Sequence, residues 1–230
     1  MLAYIPARGG SQRIPRKNIR LLGGKPIVAH VIEQVLQLTF VTDVFVSTDD
    51  AEIKDVAESF GAQCGALRDP CLSNSKAGFI DLIKQDIPRY CREAEDDEVL
   101  FCLATAALVP SEVYISAYEE YTISQPDILM SCEPYPEPVW WALQQKEDGY
   151  WHPMYPDKVL INSQDLPKTL TDSGLFYFFN QRNMNRFSSH KIVEKLQAFE
   201  VPHQYRCDVN DEEDWERLEW KFQRLNYNKE

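Results

Sequence analysis

Short unbroken apolar runs alternate along this chain with stretches whose apolar residues recur at helical spacing. Residues 2–5 form such a run, stopped by Pro6, and read as a strand buried on both faces. No period holds from 7 to 22, a segment rich in Gly, Arg, Lys and Pro that reads as one long loop. Pro26 then suits a first helical turn, and Ile27, Val31, Ile32, Val35 and Leu36 share one helix face. Residues 44–46 predict a second buried strand, ending in Ser47-Thr48-Asp49-Asp50. Asp49 or Asp50 can cap the next helix, whose inner face carries Ile53, Val56, Ala57 and Phe60, with Gly61 ending it. The cycle predicts further strands at 62–67, 99–103, 128–131 and 174–179. Helices are predicted over 77–90, over 111–124, and from Asp211 onward through Trp215, Leu218 and Phe222.

Strands alternating with helices indicate an α/β fold, a mainly parallel sheet covered by helices on both faces. Ligands of such sheets lie beyond the carboxyl ends of the strands, where the loop after Ile5 emerges. Residues 1–230 read as one domain with a single interruption. From about 133 to 156 come Pro134, Pro136, Pro138, Pro153 and Pro156, interleaved with Tyr135, Trp140, Trp141, Tyr150, Trp151 and Tyr155. This reads as a projecting β-arm, with Asp148-Gly149 as its hairpin turn. Its aromatics have three readings: an arm buried against a second copy, a lid over a substrate, or core packing.

Charge changes the picture in one place. The 230 residues carry a net charge of −12, which argues against a duplex nucleic-acid partner, because phosphate neutralisation supplies most of that affinity. Yet residues 1–32 hold Arg8, Arg13, Arg16, Lys17, Arg20 and Lys25 and no acid, the first being Glu33. A basic opening on an acidic chain points to a small local anion site. The six cysteines show no CxxC pair and no regular spacing, so they read as buried, reduced thiols of a cytoplasmic protein. No apolar run reaches the length of a membrane span, so no membrane partner is expected.

The chemistry concentrates in Ala7-Arg8-Gly9-Gly10-Ser11-Gln12-Arg13-Ile14-Pro15-Arg16-Lys17-Asn18. Gly9 and Gly10 allow close backbone approach, so amides can ring phosphate oxygens. Arg8, Arg13 and Lys17 can neutralise the several charges of a triphosphate. The run fits neither the Walker loop nor the dinucleotide fingerprint.

That run, continuing through IRLLGGKPIVAH, together with VSTDD, LRDP and the later SQDL and TDSGLFYF segments, resembles the CMP-sialic-acid synthetase family. The likeness is nearest to members acting on pseudaminic acid and related bacterial nonulosonic acids. It spans residues 2 to about 215. It implies a Rossmann-like nucleotidyltransferase fold, a homodimer made through the arm, and Mg²⁺-dependent transfer. In that reaction the sugar's anomeric hydroxyl attacks the α-phosphate of CTP and expels pyrophosphate. The second substrate would be an acidic nine-carbon sugar. N-Acetylneuraminate is the alternative sugar, and a nucleotide-binding regulatory relative without turnover is the alternative role.

By position, the resemblance gives Arg8, Ser11 and Lys17 the triphosphate, with Lys17 near the α-phosphate and Arg8 and Lys17 as the catalytic pair. Asn18 and Arg68, with backbone around Ala7, would meet the cytosine. Asp208 and Asn210 stand where the family carries two metal carboxylates, so Asn210 lacks a charge unless Asp211 substitutes; the other reading of Asp208 and Asp211 is a helix cap. Gln164 and Asp172 fall in the sugar-side segments and are equally turn formers. Gln12 stands where Lys is usual, Asn74 where Asp is common, and Ala77 and Phe79 where hydroxyl residues are usual. His30, His152, His190 and His203 share no ligand-like spacing and read as structural.

Overall fold

The computed structural model describes residues 1–74, 77–91, 98–185 and 194–227. In chain order the elements are β1 (Leu2–Pro6), β2 (Leu21–Leu22), β3 (Lys25–Pro26), α1 (Ile27–Leu36), β4 (Asp43–Ser47), α2 (Ala51–Ser59), the single turn α3 (Phe79–Asp81) and β5 (Glu98–Cys102). There follow α4 (Ser111–Ser124), β6 (Ile128–Pro134), β7 (Leu143–Gln145), β8 (Trp151–Pro153), β9 (Leu170–Asn180), α5 (Gln181–Asn185), β10 (Leu196–Glu200) and α6 (Glu212–Tyr227).

Six strands make the main sheet in the order β10-β6-β9-β5-β1-β4. β1 pairs in parallel with β4 and β5, β10 in parallel with β6, and β9 alone runs against its neighbours. The sheet is therefore mainly parallel, as the alternation of elements requires. Strand residues alternate between two cores. Ala3, Ile5, Leu100, Cys102, Phe176 and Phe178 face α1, α2 and α4. Leu2, Tyr4, Val99, Phe101, Tyr177 and Phe179 face the segment 79–90 and Met184. A third apolar cluster lies at the carboxyl edge, where Trp215 and Leu218 of α6 close on Ile14, Leu22, Ile27 and Val209.

Several elements differ from the sequence expectation. The strand expected at 62–67 is a single bridge from Gln63 to Phe45. The helix expected over 77–90 is α3, a wider π turn Leu82–Asp86 and a 3-10 turn Ile87–Arg89. Pro88 explains the last break, since it cannot donate within a continuous helix. The long loop 7–22 contains a 3-10 turn, Lys17–Ile19, and ends in the β2–β3 hairpin. β10 carried no sequence signal because its side chains are exposed or half-buried throughout. Asp50, not Asp49, caps α2 by accepting from the Ile53 N–H at 3.0 Å. The arm holds the expected hairpin, β7 with β8, but β6 runs to Pro134 and the excursion returns only at Leu170.

The cysteines are all free among the described residues; Cys102, Cys132 and Cys207 are buried, whereas Cys71 is exposed against expectation. No helix among the described residues is long and apolar enough to cross a membrane.

Candidate active site

The site begins where β1 ends. The Ala7 N–H donates to the Ser47 carbonyl at 2.9 Å, carrying the β1–β4 ladder one residue further before the chain turns away. Gly9 follows, and the protein itself occupies it. Its N–H donates to Asp49 Oδ1 at 2.9 Å, and a Cβ there would stand 2.7 Å from Asp50 Oδ2. The expectation that both glycines bare their amides to a ligand therefore narrows to Gly10, which faces open space. Ser11 turns its N–H back to the Gly9 carbonyl at 3.0 Å.

Arg16 sits in the left-handed region at φ 56°, a conformation that costs a non-glycine residue about 1–2 kcal/mol. Its guanidinium fork grips Asp50, with Nη2 to Oδ1 at 3.2 Å, and also Glu52. That grip holds the Asp50 carboxyl below its usual range. The backbone turn it secures sends the next residue, Lys17, in the other direction. Ile14, fully buried against Trp215 and Leu218, anchors the middle of the loop.

The six basic residues of the opening thus divide into two sets. Arg16 is paired as described, Arg20 donates from Nη1 to both Glu212 oxygens at 2.6 and 2.8 Å over the Trp215 ring, and Lys25 pairs with Glu33. Arg8, Arg13 and Lys17 pair with no carboxylate among the described residues. Arg8 Nη1 donates to the Asn74 carbonyl at 3.1 Å, Arg13 Nη2 to Asn210 Oδ1 at 2.7 Å, and Lys17 Nζ to the Val209 carbonyl at 2.6 Å. Burial pushes the Lys17 ammonium below its ordinary range, Asp208 opposes that, and Arg13 and Arg8 add to it. Asp214 opposes it as well but is itself paired with Arg217, so the three cations outnumber the carboxylate left beside them, an arrangement with positive charge to spare for an anion.

Opposite them β9 is bent. Between Met130 and Cys132 the β6–β9 register jumps from Tyr177 to Asp172, so the stretch Ser173-Gly174-Leu175-Phe176 faces one residue, Ser131. Ser131 Oγ accepts from the Phe176 N–H and the Ser173 hydroxyl, each at 2.9 Å, which satisfies a buried irregularity. Gly174 turns at φ 63°, and a Cβ there would lie 3.9 Å from the Asp208 carboxyl. The bulge thereby presents Asp172 toward the site. Its carboxylate accepts from the Gly174 N–H at 2.8 Å and from the Tyr177 hydroxyl at 2.6 Å. Burial first, and then that bond, holds the Tyr177 phenol well above its ordinary range, so it stays a donor. Phe79 lies 4.7 Å from the Tyr177 ring. Sequence reading missed Tyr177, because an aromatic amid FYFF reads as core. The TDSG turn beside it was the available signal.

Asn18 is buried and donates to the Arg8 carbonyl at 2.9 Å, fixing the loop from beneath. Arg68 is also buried, with Nε on Ser73 Oγ at 3.1 Å and Nη1 on the Ser47 carbonyl at 3.4 Å. It lines an open cleft of about 760 Å³ with Asp49, Leu67, Leu72, Gln85 and Arg89. The Ser47 carbonyl therefore serves both Ala7 and Arg68. Ser47 is itself pinned through its hydroxyl to the fully buried Asp86, which also accepts from the Tyr4 hydroxyl at 2.5 Å and from Arg89 Nη1 at 3.0 Å.

Whether a hard divalent cation fits depends on which oxygens are uncommitted. Asp211 Oδ1 caps α6, accepting from the Asp214 N–H at 3.0 Å. Asp214 accepts from the Asn210 N–H at 2.9 Å and pairs with Arg217. Asn210 gives its oxygen to Arg13 and its Nδ2 to Asp208 Oδ2 at 2.5 Å. Asp208 and Asp211 each keep one carboxylate oxygen without a hydrogen bond among the described residues, Oδ1 and Oδ2 respectively, while the Asn210 oxygen is taken by Arg13, and no cluster of three acidic, His or Cys ligands occurs among the described residues. The residues fit a cation that brings further oxygens with it, and do not fit a self-sufficient site.

Other expected positions stand apart. Gln164 is exposed on the turn Ser163–Asp165 and makes no hydrogen bond among the described residues. Gln12 is exposed, and Asn74 closes its own turn by donating to the Cys71 carbonyl at 2.7 Å. His30 bonds to the Leu22 carbonyl at 2.9 Å and packs edge-on to Phe222, and His152 faces Asp148 across the hairpin. His190 lies outside the described residues.

A doubly covered, mainly parallel sheet with a cationic loop at its carboxyl edge is the architecture of a nucleotidyltransferase. The chain belongs to the cytidylyltransferase family, which it matches over residues 2–227. It is 32% identical to the pseudaminic acid cytidylyltransferase of Campylobacter jejuni over 220 residues, 94% of this chain and 93% of that protein. It is 45% identical over 83 residues, 36% of each chain, to the CMP-N,N'-diacetyllegionaminic acid synthase of Legionella pneumophila. In fold it resembles a CMP:2-keto-3-deoxy-manno-octonic acid synthetase complexed with CTP, with a TM-score of 0.70 at 17% identity, over 97% of this chain and 98% of that one.

Proposed function

We propose that this chain joins CTP to a nonulosonic acid, pseudaminic acid or a close relative, to give the CMP-sugar and pyrophosphate. The observation that carries the reading is the set of three cations free of carboxylate partners among the described residues, Arg8, Arg13 and Lys17, gathered near Asp208 at the sheet's carboxyl edge. In-line attack on an α-phosphate asks a protein mainly for position and for charge to meet the expelled pyrophosphate. Lys17, held between the loop and Val209, would stand at the α-phosphate; Arg8 and Arg13, with Ser11 and the Gly10 amide, would hold the outer phosphates. Arg68 and the backbone at Ala7, tied together through Ser47, would receive the base, with Asn18 keeping the loop in place.

Asp172, already accepting from Tyr177, has the chemistry to orient a sugar hydroxyl or acylamino group; Gln164 would reach the sugar only by movement of its turn. Mg²⁺ would be held by Asp208 together with phosphate oxygens and would supply further charge neutralisation. The arm leaves Leu143, Tyr150, Trp151, Met154 and Leu160 exposed, which supports association with a second copy. The free thiols among the described residues agree with a reducing, cytoplasmic setting.

Pyrophosphate release from each of the four nucleoside triphosphates, with Mg²⁺ and a panel of nonulosonic acids, tests this. Turnover with CTP and a pseudaminic-type acid is expected. Silence across the panel, with CTP still bound in calorimetry, would leave a binding protein in place of an enzyme.

A further inference from the structure

We propose that Asn210 is a neutral bridge between Arg13 and Asp208, not a metal ligand, and that it makes divalent-cation binding wait for the triphosphate. The inference rests on the nucleotide reading above and extends it to the order of events.

The orientation of the Asn210 amide follows from its neighbours. A guanidinium only donates, so the atom 2.7 Å from Arg13 Nη2 is the amide oxygen. A carboxylate only accepts, so the atom 2.5 Å from Asp208 Oδ2 is the amide nitrogen. Both contacts agree on one rotamer of the amide. In it the oxygen faces a cation, and the group facing Asp208 is a donor that a metal would displace. The backbone reinforces this, since the Asn210 N–H is held by Asp214 at 2.9 Å and the neighbouring Val209 carbonyl by Lys17 at 2.6 Å.

Charge then sets the sequence of binding. Arg8, Arg13 and Lys17 act on the same small space as Asp208, and Asp214, the other carboxylate acting on Lys17, is already paired with Arg217, so a divalent cation arriving alone meets three cations and one carboxylate not held in an ion pair. An aspartate at 210 would reverse this twice. It would add a second carboxylate for the metal, and it would commit Arg13 to an ion pair. The amide keeps Arg13 engaged only by a hydrogen bond that a phosphate oxygen replaces readily, because the charged partner forms the stronger bond. Once the triphosphate is bound, its oxygens supply the negative charge and the missing donors, and Asp208 completes the cation's shell.

The test is Mn²⁺ binding, followed by electron paramagnetic resonance and by calorimetry, with and without a non-hydrolysable α,β-methylene analogue of CTP. Wild type is expected to bind Mn²⁺ weakly alone and at least about tenfold more tightly with the analogue. Asn210→Asp should bind Mn²⁺ without nucleotide at least about tenfold more tightly than wild type, and should bind CTP more weakly in EDTA. Asn210→Ala, with folding checked by its melting curve, should keep the nucleotide-dependent Mn²⁺ affinity within a few-fold, since it removes no ligand. Equal Mn²⁺ affinity with and without the analogue overturns the proposal, as does loss of about tenfold or more in Asn210→Ala. Failure of wild type to bind CTP in EDTA, with binding restored by Mg²⁺, overturns this inference alone, whereas failure to bind CTP with Mg²⁺ present overturns the nucleotide reading beneath it.

Discussion

The basic loop and the arm are both irregular excursions from the same sheet, and they invert what their compositions suggest. The loop is rich in charge, yet its interior is tied down. Ile14 is fully buried under α6, Asn18 is buried beneath the Arg8 carbonyl, and Gly9 is pressed against Asp50. The arm is rich in aromatics, yet Tyr150 is 72% exposed, Trp151 63% and Leu160 95%. A loop that must hold three like charges close together has to be fixed by contacts other than those charges. Arg16, Arg20 and Lys25 provide them by pairing outward with Glu52, Glu212 and Glu33. An arm that keeps its apolar side chains in water has the kind of surface that marks interaction sites, which is why association with a second copy is proposed for it. The first region makes its apolar contacts within one chain; the second leaves its own exposed.

The hardest test of that contrast is Lys17→Ala. Lys17 lies in the anchored loop but contributes charge, not anchoring, so kcat should fall about 10²–10³-fold, the range for losing one preorganised donor to a developing charge. Stability should change by no more than about 1 kcal/mol, because the core residues around it stay in place. Initial rates of pyrophosphate release and a urea melt read the two effects apart. A collapse of stability would mean that the lysine is part of the anchor.

Gly9→Ala probes the anchor itself. The added Cβ would stand 2.7–2.8 Å from Asp50 Oδ2 and Cβ, and Asp50 is held by Arg16 and caps α2. Such overpacking typically costs about 1–3 kcal/mol. At Gly10 nothing lies within 4 Å, so Gly10→Ala should be close to neutral in the urea melt. Equal destabilisation at both positions would show that the loop is not fixed by the Asp50 contact.

These two glycines also show what the sequence could and could not disclose. That a Gly-Gly pair amid arginines suits an anion is an expectation readable from residue types alone. That Gly9 meets Asp50 is not, because the contact joins two strand ends far apart in sequence. The same holds for the six basic residues: their bias is legible, while their partition into three paired and three uncommitted cations depends on Glu52, Glu212 and Glu33 arriving from three different helices. The strand–helix alternation and the arm were legible because period and turn residues are local properties. The bulge in β9 was not, since a strand reading of 174–179 assumes continuous pairing and only the register with Ser131 breaks it. Asn210 lies between these cases. Its identity is visible as a lost charge, but its role follows from which atom faces Arg13 and which faces Asp208.

The smallest expected effect on a single chain belongs to the arm. Trp151 is more exposed than buried, on β8 of a two-stranded ribbon. Trp151→Asp therefore removes little intramolecular packing, and the melt of dilute protein should shift by no more than about 0.5 kcal/mol, as for surface substitutions generally. The same change places a charge on the arm that also leaves Leu143, Tyr150 and Met154 exposed to solvent. If a second copy covers that surface, the charge has to be desolvated in the pair, so sedimentation velocity should show a dimer for wild type and a shift toward monomer for the variant. A monomer in both would remove the second-copy reading of the arm, and with it the contrast with the loop, whose apolar contacts are already made within one chain.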